Sequence, residues 1–304
     1  MPDKPTTEKN APYVLAETAR FAVVFKPPRM HCAPPAAREP SGADGDALLD
    51  WYAGRFPQVA ELNGRKPGEG GLLHRLDFET RGLVLFAKSQ TALESLLAQQ
   101  AEGNFVKDYS AICQRAAPGQ TAPASFPPAP AFRGLDEIAR GGAGPRDSPP
   151  APPPPSRVSE WRELPVKPFS IGSFFRPFGP GRKEVRPAVC GGGKRTRGEI
   201  ARDRGGLYRT EILGVSARGA DETPESRGFL RFALRLRRGF RHQARCHLAW
   251  IGHPILNDPL YGPRGESRDG FIALSADGLS FLDPESGEPR EYRVAPLELR
   301  AISL

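Results

Sequence analysis

Phe21-Ala22-Val23-Val24-Phe25 is a short apolar run cut off by Lys26-Pro27-Pro28, the pattern of a strand entering a loop. From Asp46 to about Phe56, Leu48, Leu49, Trp51, Tyr52 and Phe56 recur near helical spacing and Pro57 follows, which predicts a helix closing there. Gly68-Glu69-Gly70-Gly71 suits a turn, and Gly82 to Ala87 predicts a buried strand. Ser89 or Thr91 can cap the next helix, whose Leu93, Leu96 and Leu97 share a face and which Gly103 ends. Tyr109 to Cys113 predicts a further strand. From Phe229 to Leu236 the alternation is clean: Leu230, Phe232, Leu234 and Leu236 face one way, Arg231 and Arg235 the other. That predicts a half-buried strand with a positive outer face. A helix fits Arg241 to Trp250, with Ala244, Leu248 and Ile251 as its apolar stripe. Beyond Phe271, short strands alternate with turns at Gly278, Pro284-Glu285-Ser286-Gly287 and Pro289. No internal repeat stands out.

Two stretches break this patterning. Residues 115–156 are rich in Ala, Gly and Pro and close on Pro152-Pro153-Pro154-Pro155, a composition that cannot bury a core. The stretch reads as an insertion within one domain, because the ordered pattern resumes behind it. Residues 190–206 hold a second loop, Gly-rich and basic, around Gly191-Gly192-Gly193-Lys194-Arg195. Its glycines lack the G-x-x-x-x-G-K-[ST] spacing of a phosphate-binding loop. Residues 1–11 are polar and read as disordered. The remainder, 12–304, reads as one domain.

Composition changes the picture in one respect. The chain of 304 residues carries a formal charge of +8 and a pI near 9.5, which suits an acidic partner, nucleic acid being the commonest, and suits simple solubility about equally well. No apolar run is long enough to cross a bilayer, and the N-terminus lacks the apolar core of a secretory signal, so the cytoplasm is the expected compartment. Cys32, Cys113, Cys190 and Cys246 are scattered, without a C-x-x-C pair, so neither a metal site nor a disulfide framework is expected.

Chemistry gathers in two segments. The first is His74-Arg75-Leu76-Asp77-Phe78-Glu79-Thr80-Arg81-Gly82-Leu83. An aspartate just before a buried strand, in a polar turn beside basic residues, can act as a nucleophile or base. Equally, it can do no more than satisfy the backbone groups of its turn. The second segment runs from Arg241 to Gly262 and places Arg241 and Arg245 one helical turn apart, a face suited to phosphates, to a carboxylate, or to plain solvation. His242, His247 and His253 lie in it, but no carboxylate or cysteine completes a ligand pattern.

Taken together the segments resemble the RluA-type RNA pseudouridine synthase family. Its first hallmark, H-R-L-D-x-x-T-S-G-L, is matched from His74 to Leu83. Its late hallmark, H-Q-[IVL]-R-x-H-L-A-x-x-G-H-P-I-x-x-D-x-L-Y-G, is matched closely from His242 to Gly262. Between them the family's K-x-Y stands as Lys107-Asp108-Tyr109, and an early Lys-Pro as Lys26-Pro27. Four motifs in the right order are hard to obtain by chance. The resemblance implies an α+β fold, a mixed, largely antiparallel central sheet flanked by helices. It implies an isomerase that turns uridine in ribosomal or transfer RNA into pseudouridine, as a monomer, with no cofactor and no metal.

The implied roles fall on particular residues. Asp77 would start cleavage of the glycosidic bond, Tyr109 would stack on the extruded base, and Arg245 would pair with Asp77 and aim it. Substrate contacts would fall on Arg75 and on His74, Lys107, Arg241, His242 and Gln243, with His74 more a support of the loop than a reactant. Three departures matter. Arg238-Gly239-Phe240-Arg241 replaces T-G-R-[ST], so the family arginine falls on Phe240. Arg81 replaces a common serine, and the late L-H-A reads Leu274-Ser275-Ala276. The separate N-terminal RNA-binding domain of many relatives is not expected here. Two other readings stay open: an RNA-binding factor that keeps the fold without catalysis, and a glycoside hydrolase using Asp77 and Asp258 as paired carboxylates.

Overall fold

The computed structural model describes residues 11–35, 47–114, 123, 125–130, 161–189, 206–218, 228–262 and 270–299. The N-terminal segment, most of the Pro-rich insertion and nearly all of the 190–206 loop lie outside the described residues. The chain divides into two compact units, Met1–Asp108 with Ser275–Pro296, and Tyr109–Leu274 with Leu297–Leu304.

In the first unit, β1 (Tyr13–Glu17) pairs antiparallel with β2 (Phe21–Lys26), and β2 antiparallel with β3 (Arg81–Ala87). β3 lies parallel to β10 (Leu274–Leu282), which also carries β11 (Pro289–Arg293) antiparallel. All six residues of β2 are buried, and six of the seven in β3. A strand covered on both faces must be apolar throughout, which is why neither sequence alternates. Two short helices, α1 (Leu48–Ala53) and α2 (Gln58–Glu61), follow β2. Helix α3 (Gln90–Glu102) has Ser89 as its N-cap, the hydroxyl accepting from Ala92 N at 3.3 Å, and ends on Gly103 at φ 83°. Gly103 closes the helix because a left-handed residue is needed there. Leu93 and Leu96 of α3 pack with Val23, Leu83, Leu85 and Phe105 in this unit's core.

The second unit is built on a longer antiparallel run. β6 (Phe169–Phe178) pairs with β7 (Glu184–Ala188) on one side and β8 (Tyr208–Arg218) on the other. β8 pairs in turn with β9 (Phe229–Leu236), and β5 (Arg162–Glu163) adds to β8. β4 (Val106–Gln114) neighbours β9 and carries the chain from the first unit into this one. β9 alternates as its sequence predicts, with Leu230, Phe232, Leu234 and Leu236 all buried. Helix α4 (Gln243–Trp250) sets Ala244, Leu248 and Trp250 into the same core. Mixed but mostly antiparallel strands with few helices make this an α+β fold.

Candidate active site

Asp77 stands at the head of a β-turn closed by Thr80 N donating to its carbonyl at 3.0 Å. The turn is held from both sides. Before it, Leu76 N donates to the Cys32 sulfur at 3.2 Å, and that thiol donates back to the Leu76 carbonyl at 3.5 Å. After it, the Phe78 carbonyl accepts from Met30 N at 3.3 Å and from the Lys26 ammonium at 3.2 Å. Lys26 also donates to the carbonyls of Pro27 at 2.8 Å and Met30 at 2.9 Å. Its side chain is wholly buried, and that burial draws its pKa down to about 8 against the pull of the Cys32, Asp77 and Glu79 charges. The loop after β2 and the turn before β3 are thus strapped together, leaving Asp77 itself half-buried.

Gly82 explains how β3 leaves this turn. Its φ is 128°, and a Cβ there would come within 2.5 Å of the Ala276 nitrogen on parallel β10. Only glycine meets both demands. His74 lies on the other side of the segment, its Nε2 accepting from Leu85 N at 3.3 Å and its ring 5.2 Å from that of Phe105. A ring nitrogen that accepts carries no proton, so the hydrogen sits on Nδ1. Burial, with the charges of Lys107 and Arg65, holds this imidazole well below its ordinary pKa. Arg75 points outward and pairs with Glu69 at 3.2 Å, its side chain 54% exposed. Lys107, expected at the substrate, is buried, and burial brings its pKa down to about 8.

In the second unit, Tyr109 is half-buried and packs against the core that α4 also joins. Arg245 on α4 is 5% exposed and forms a two-pronged ion pair with Asp258, Nε to Oδ2 and Nη2 to Oδ1, both at 2.8 Å. Asp258 Oδ1 further accepts from Leu260 N at 2.9 Å and Tyr261 N at 3.1 Å. The carboxylate is fully buried, so it cannot be the second carboxylate of a glycoside hydrolase, and that reading falls. Gly262 closes the same turn, where a Cβ would lie 2.5 Å from the Asp258 carbonyl oxygen. The D-x-L-Y-G end of the late hallmark is therefore the mount that fixes Arg245, a role that sequence reading did not assign.

Arg241 departs from expectation. His242 takes a left-handed φ of 56° as the N-cap of α4, so Arg241 lies outside the helix and does not share a face with Arg245. It donates to the carbonyls of Arg182 and Glu184, while Arg245 is buried. His242 Nδ1 lies 3.3 Å from the Tyr261 hydroxyl. Gln243, expected at the substrate, is buried with its amide engaged internally: Nε2 donates to the Arg209 carbonyl at 2.9 Å and the Thr210 hydroxyl at 3.2 Å, and Oε1 accepts from Phe240 N at 3.0 Å. Phe240 stacks on Phe175 with ring centres 5.0 Å apart, so aromatic packing occupies the position of the family's arginine. The fixed residues that sequence reading missed are Lys26, Cys32, Asp258 and Tyr261. The Lys-Pro and D-x-L-Y-G strings were the available signal. Among the described residues no group of three His, Cys, Asp or Glu is placed to hold a metal ion, and no helix is long and apolar enough to cross a membrane.

Residues 20–149 match the RNA pseudouridylate synthase family. Ribosomal large subunit pseudouridine synthase D of Vibrio parahaemolyticus is 27% identical over 89% of this chain and 63% of its own length. An uncharacterized RNA pseudouridine synthase of Chloroflexus aurantiacus is 28% identical over 86% of this chain and 59% of its own length. A Mycoplasma genitalium protein described likewise is 42% identical over 67 residues, 22% of this chain and 21% of its own. The chain thus spans about three-fifths of the length of these two longer-matching relatives. A human RNA pseudouridylate synthase domain-containing protein superposes with a TM-score of 0.56 at 16% identity, over 96% of this chain and 86% of its own, which establishes the fold. Sequence motifs, the family match over residues 20–149 and the fold arrive at one answer by separate routes: the chain is similar to RNA pseudouridine synthases of the RluA type.

Proposed function

We propose that this protein isomerises uridines of structured RNA, ribosomal or transfer, to pseudouridine. The observation that carries the reading is the Asp77 turn. A carboxylate in the family's hallmark position is fixed by hydrogen bonds on both neighbours and left half-buried, ready for a reacting sugar. The reaction breaks the bond between uracil N1 and C1′ and forms one between C5 and C1′. The proton leaves C5 and one is gained at N1. Nothing is oxidised and no group is donated, so no cofactor is called for.

The uridine leaves its stack before a carboxylate can reach the ribose. Asp77 acts as nucleophile or base on the extruded nucleoside. Tyr109 replaces part of the lost stacking. Arg245, fixed by Asp258, stabilises the charge of the reacting carboxylate. Arg75, exposed beyond its Glu69 contact, meets the RNA backbone. The name of the Vibrio relative favours the large ribosomal subunit as the target. The protein works as a monomer in the cytoplasm.

Asp77→Asn tests this directly. The variant is expected to bind RNA as the wild type does while forming no pseudouridine in RNA from cells lacking the protein. Undiminished conversion would remove Asp77 from the chemistry. RNA binding by the wild type without any conversion would leave the fold as an RNA-binding factor.

A further inference from the structure

Lys107 is 4% exposed, yet its ammonium meets no carboxylate and no hydrogen-bond acceptor among the described residues. Nζ lies instead over the Phe105 ring, 5.5 Å from its centre. The same ring is 5.2 Å from the imidazole of His74. That imidazole accepts on Nε2 from Leu85 N, so its proton is on Nδ1, and Nδ1 is buried with no acceptor among the described residues. A third donor stands nearby. Arg65 is exposed, its Nη2 donates to the side-chain oxygen of Gln100 on α3, and its charge acts on both His74 and Lys107. All of these residues belong to the first unit.

The groups that converge on Phe105 thus donate and do not accept. Glu69, the carboxylate between Arg65 and His74 in the chain, is held by Arg75 at 3.2 Å. Lys26 shows what a self-sufficient buried ammonium looks like in the same unit, with three carbonyls around it. Lys107 lacks that shell, and a buried cation without acceptors is costly. A water molecule would take hydrogen bonds but leave the charge standing, whereas an anion answers both needs. The size of the anion follows from burial. His74 Nδ1 is closed off and Lys107 nearly so, which leaves no approach for a phosphate carried on a polymer backbone. A single small ion needs only a shift of the flexible lysine stem on the side of exposed Arg65.

We propose that Lys107, His74 and Arg65 form a binding site for a small inorganic anion of the chloride class, seated against Phe105. Lys107 and the His74 Nδ1–H donate to the ion, and Arg65 stands at the entrance. The ion ties the segment leading into the Asp77 turn to the start of β4 and so stabilises the first unit. Nothing in this depends on the reading of RNA as substrate, and pseudouridine formation can be present or absent without moving the readouts below.

The test uses the full chain in sodium chloride and in sodium gluconate at matched ionic strength, gluconate being too large for the site. Chloride is expected to raise the wild-type melting temperature above that in gluconate by about 2–4 °C, the shift of an ion that binds only the folded chain. Lys107→Met should melt alike in both salts. In gluconate it should melt level with the wild type or above it, because an uncompensated cation has been removed. Chloride NMR gives a second readout: the wild type should broaden the chloride line, and Arg65→Gln, which needs no change in the interior, should broaden it less. Equal melting of the wild type in both salts overturns the proposal. So does a chloride excess that survives in Lys107→Met, or a chloride line that the wild type and Arg65→Gln leave equally sharp. A uridine-rich RNA stem-loop that raises the wild-type melting temperature where chloride does not, with the rise lost in Lys107→Met, would give these donors to the RNA backbone and overturn it as well.

Discussion

A buried ammonium is costly unless its protons find partners, and Lys26 finds three carbonyls, two in the loop after β2 and one in the Asp77 turn. Its burial is the physical content of the early Lys-Pro string. Sequence could place that string in the family but could not show where the amine goes, since the Phe78 carbonyl lies 52 residues away. Arg245 has the same history. Its place in the late hallmark was legible, and its buried partner thirteen residues on was not, because only the turn at Leu260 and Tyr261 brings the Asp258 carboxylate under the guanidinium. Removing one member of a buried pair leaves the other uncompensated, which costs about 3–5 kcal/mol. Asp258→Asn keeps an acceptor for the turn but removes the charge, and is expected to lose about 3 kcal/mol in urea unfolding followed by intrinsic fluorescence. A loss below about 1 kcal/mol would show that the pair is weakly coupled to the fold. RNA conversion by this variant should drop with the fold at neutral pH and recover little at low temperature, because the arginine no longer has a fixed mount.

Elements with a single strong period were the most readable. β9 alternates over its whole length, and its burial follows the apolar positions. Helix α3 shows both ends in sequence, Ser89 and Gly103, and of the two cap residues considered the serine is the one that bonds. The serine hydroxyl satisfies one backbone donor that the first turn cannot. Ser89→Ala should therefore lower stability by about 1 kcal/mol, with RNA conversion unchanged, since α3 carries none of the residues assigned to the reaction. A silent substitution in chemical denaturation would mean that Thr91, 3.2 Å from the Ser89 hydroxyl, takes over the cap. Periodicity failed at α4, where the apolar pattern runs on across His242 although the backbone there turns left-handed. Nothing in a hydrophobic stripe reports that reversal, so Arg241 was placed on a helix it precedes. The β6–β7 hairpin was illegible for a related reason. Pro177, Gly179, Pro180 and Gly181 break the alternation, and the pairing of Arg176 opposite Arg186 becomes visible only once the register is known.

At the scale of the whole molecule, each unit encloses a histidine that must stay neutral. In the first, His74 receives the Leu85 N–H on Nε2, and a proton added there would set one donor against another. In the second, His247 lies between the hydroxyls of Ser173 at 2.9 Å and Thr210 at 2.8 Å, and burial lowers its pKa to about 3. Both folded-state values lie below that of an unfolded histidine, near 6.5. The unfolded chain therefore binds more protons as pH falls below about 6.5, and folding loses up to about 1.4 kcal/mol per pH unit for each histidine. Above that value the contribution is complete and flat. Lys26 and Lys107 act at the other end of the scale. Burial brings both to about 8, below an unfolded lysine, so stability rises again as pH climbs from about 8 toward 10.4. Urea unfolding as a function of pH should thus show an acid limb, a plateau from about 6.5 to 8, and an alkaline rise. His247→Asn, which can still bond to both hydroxyls, should be less stable at neutral pH and should shed one proton's worth of slope from the acid limb. An acid limb of unaltered steepness in that variant would mean that carboxylates, and not the buried imidazoles, set the acid stability of this fold.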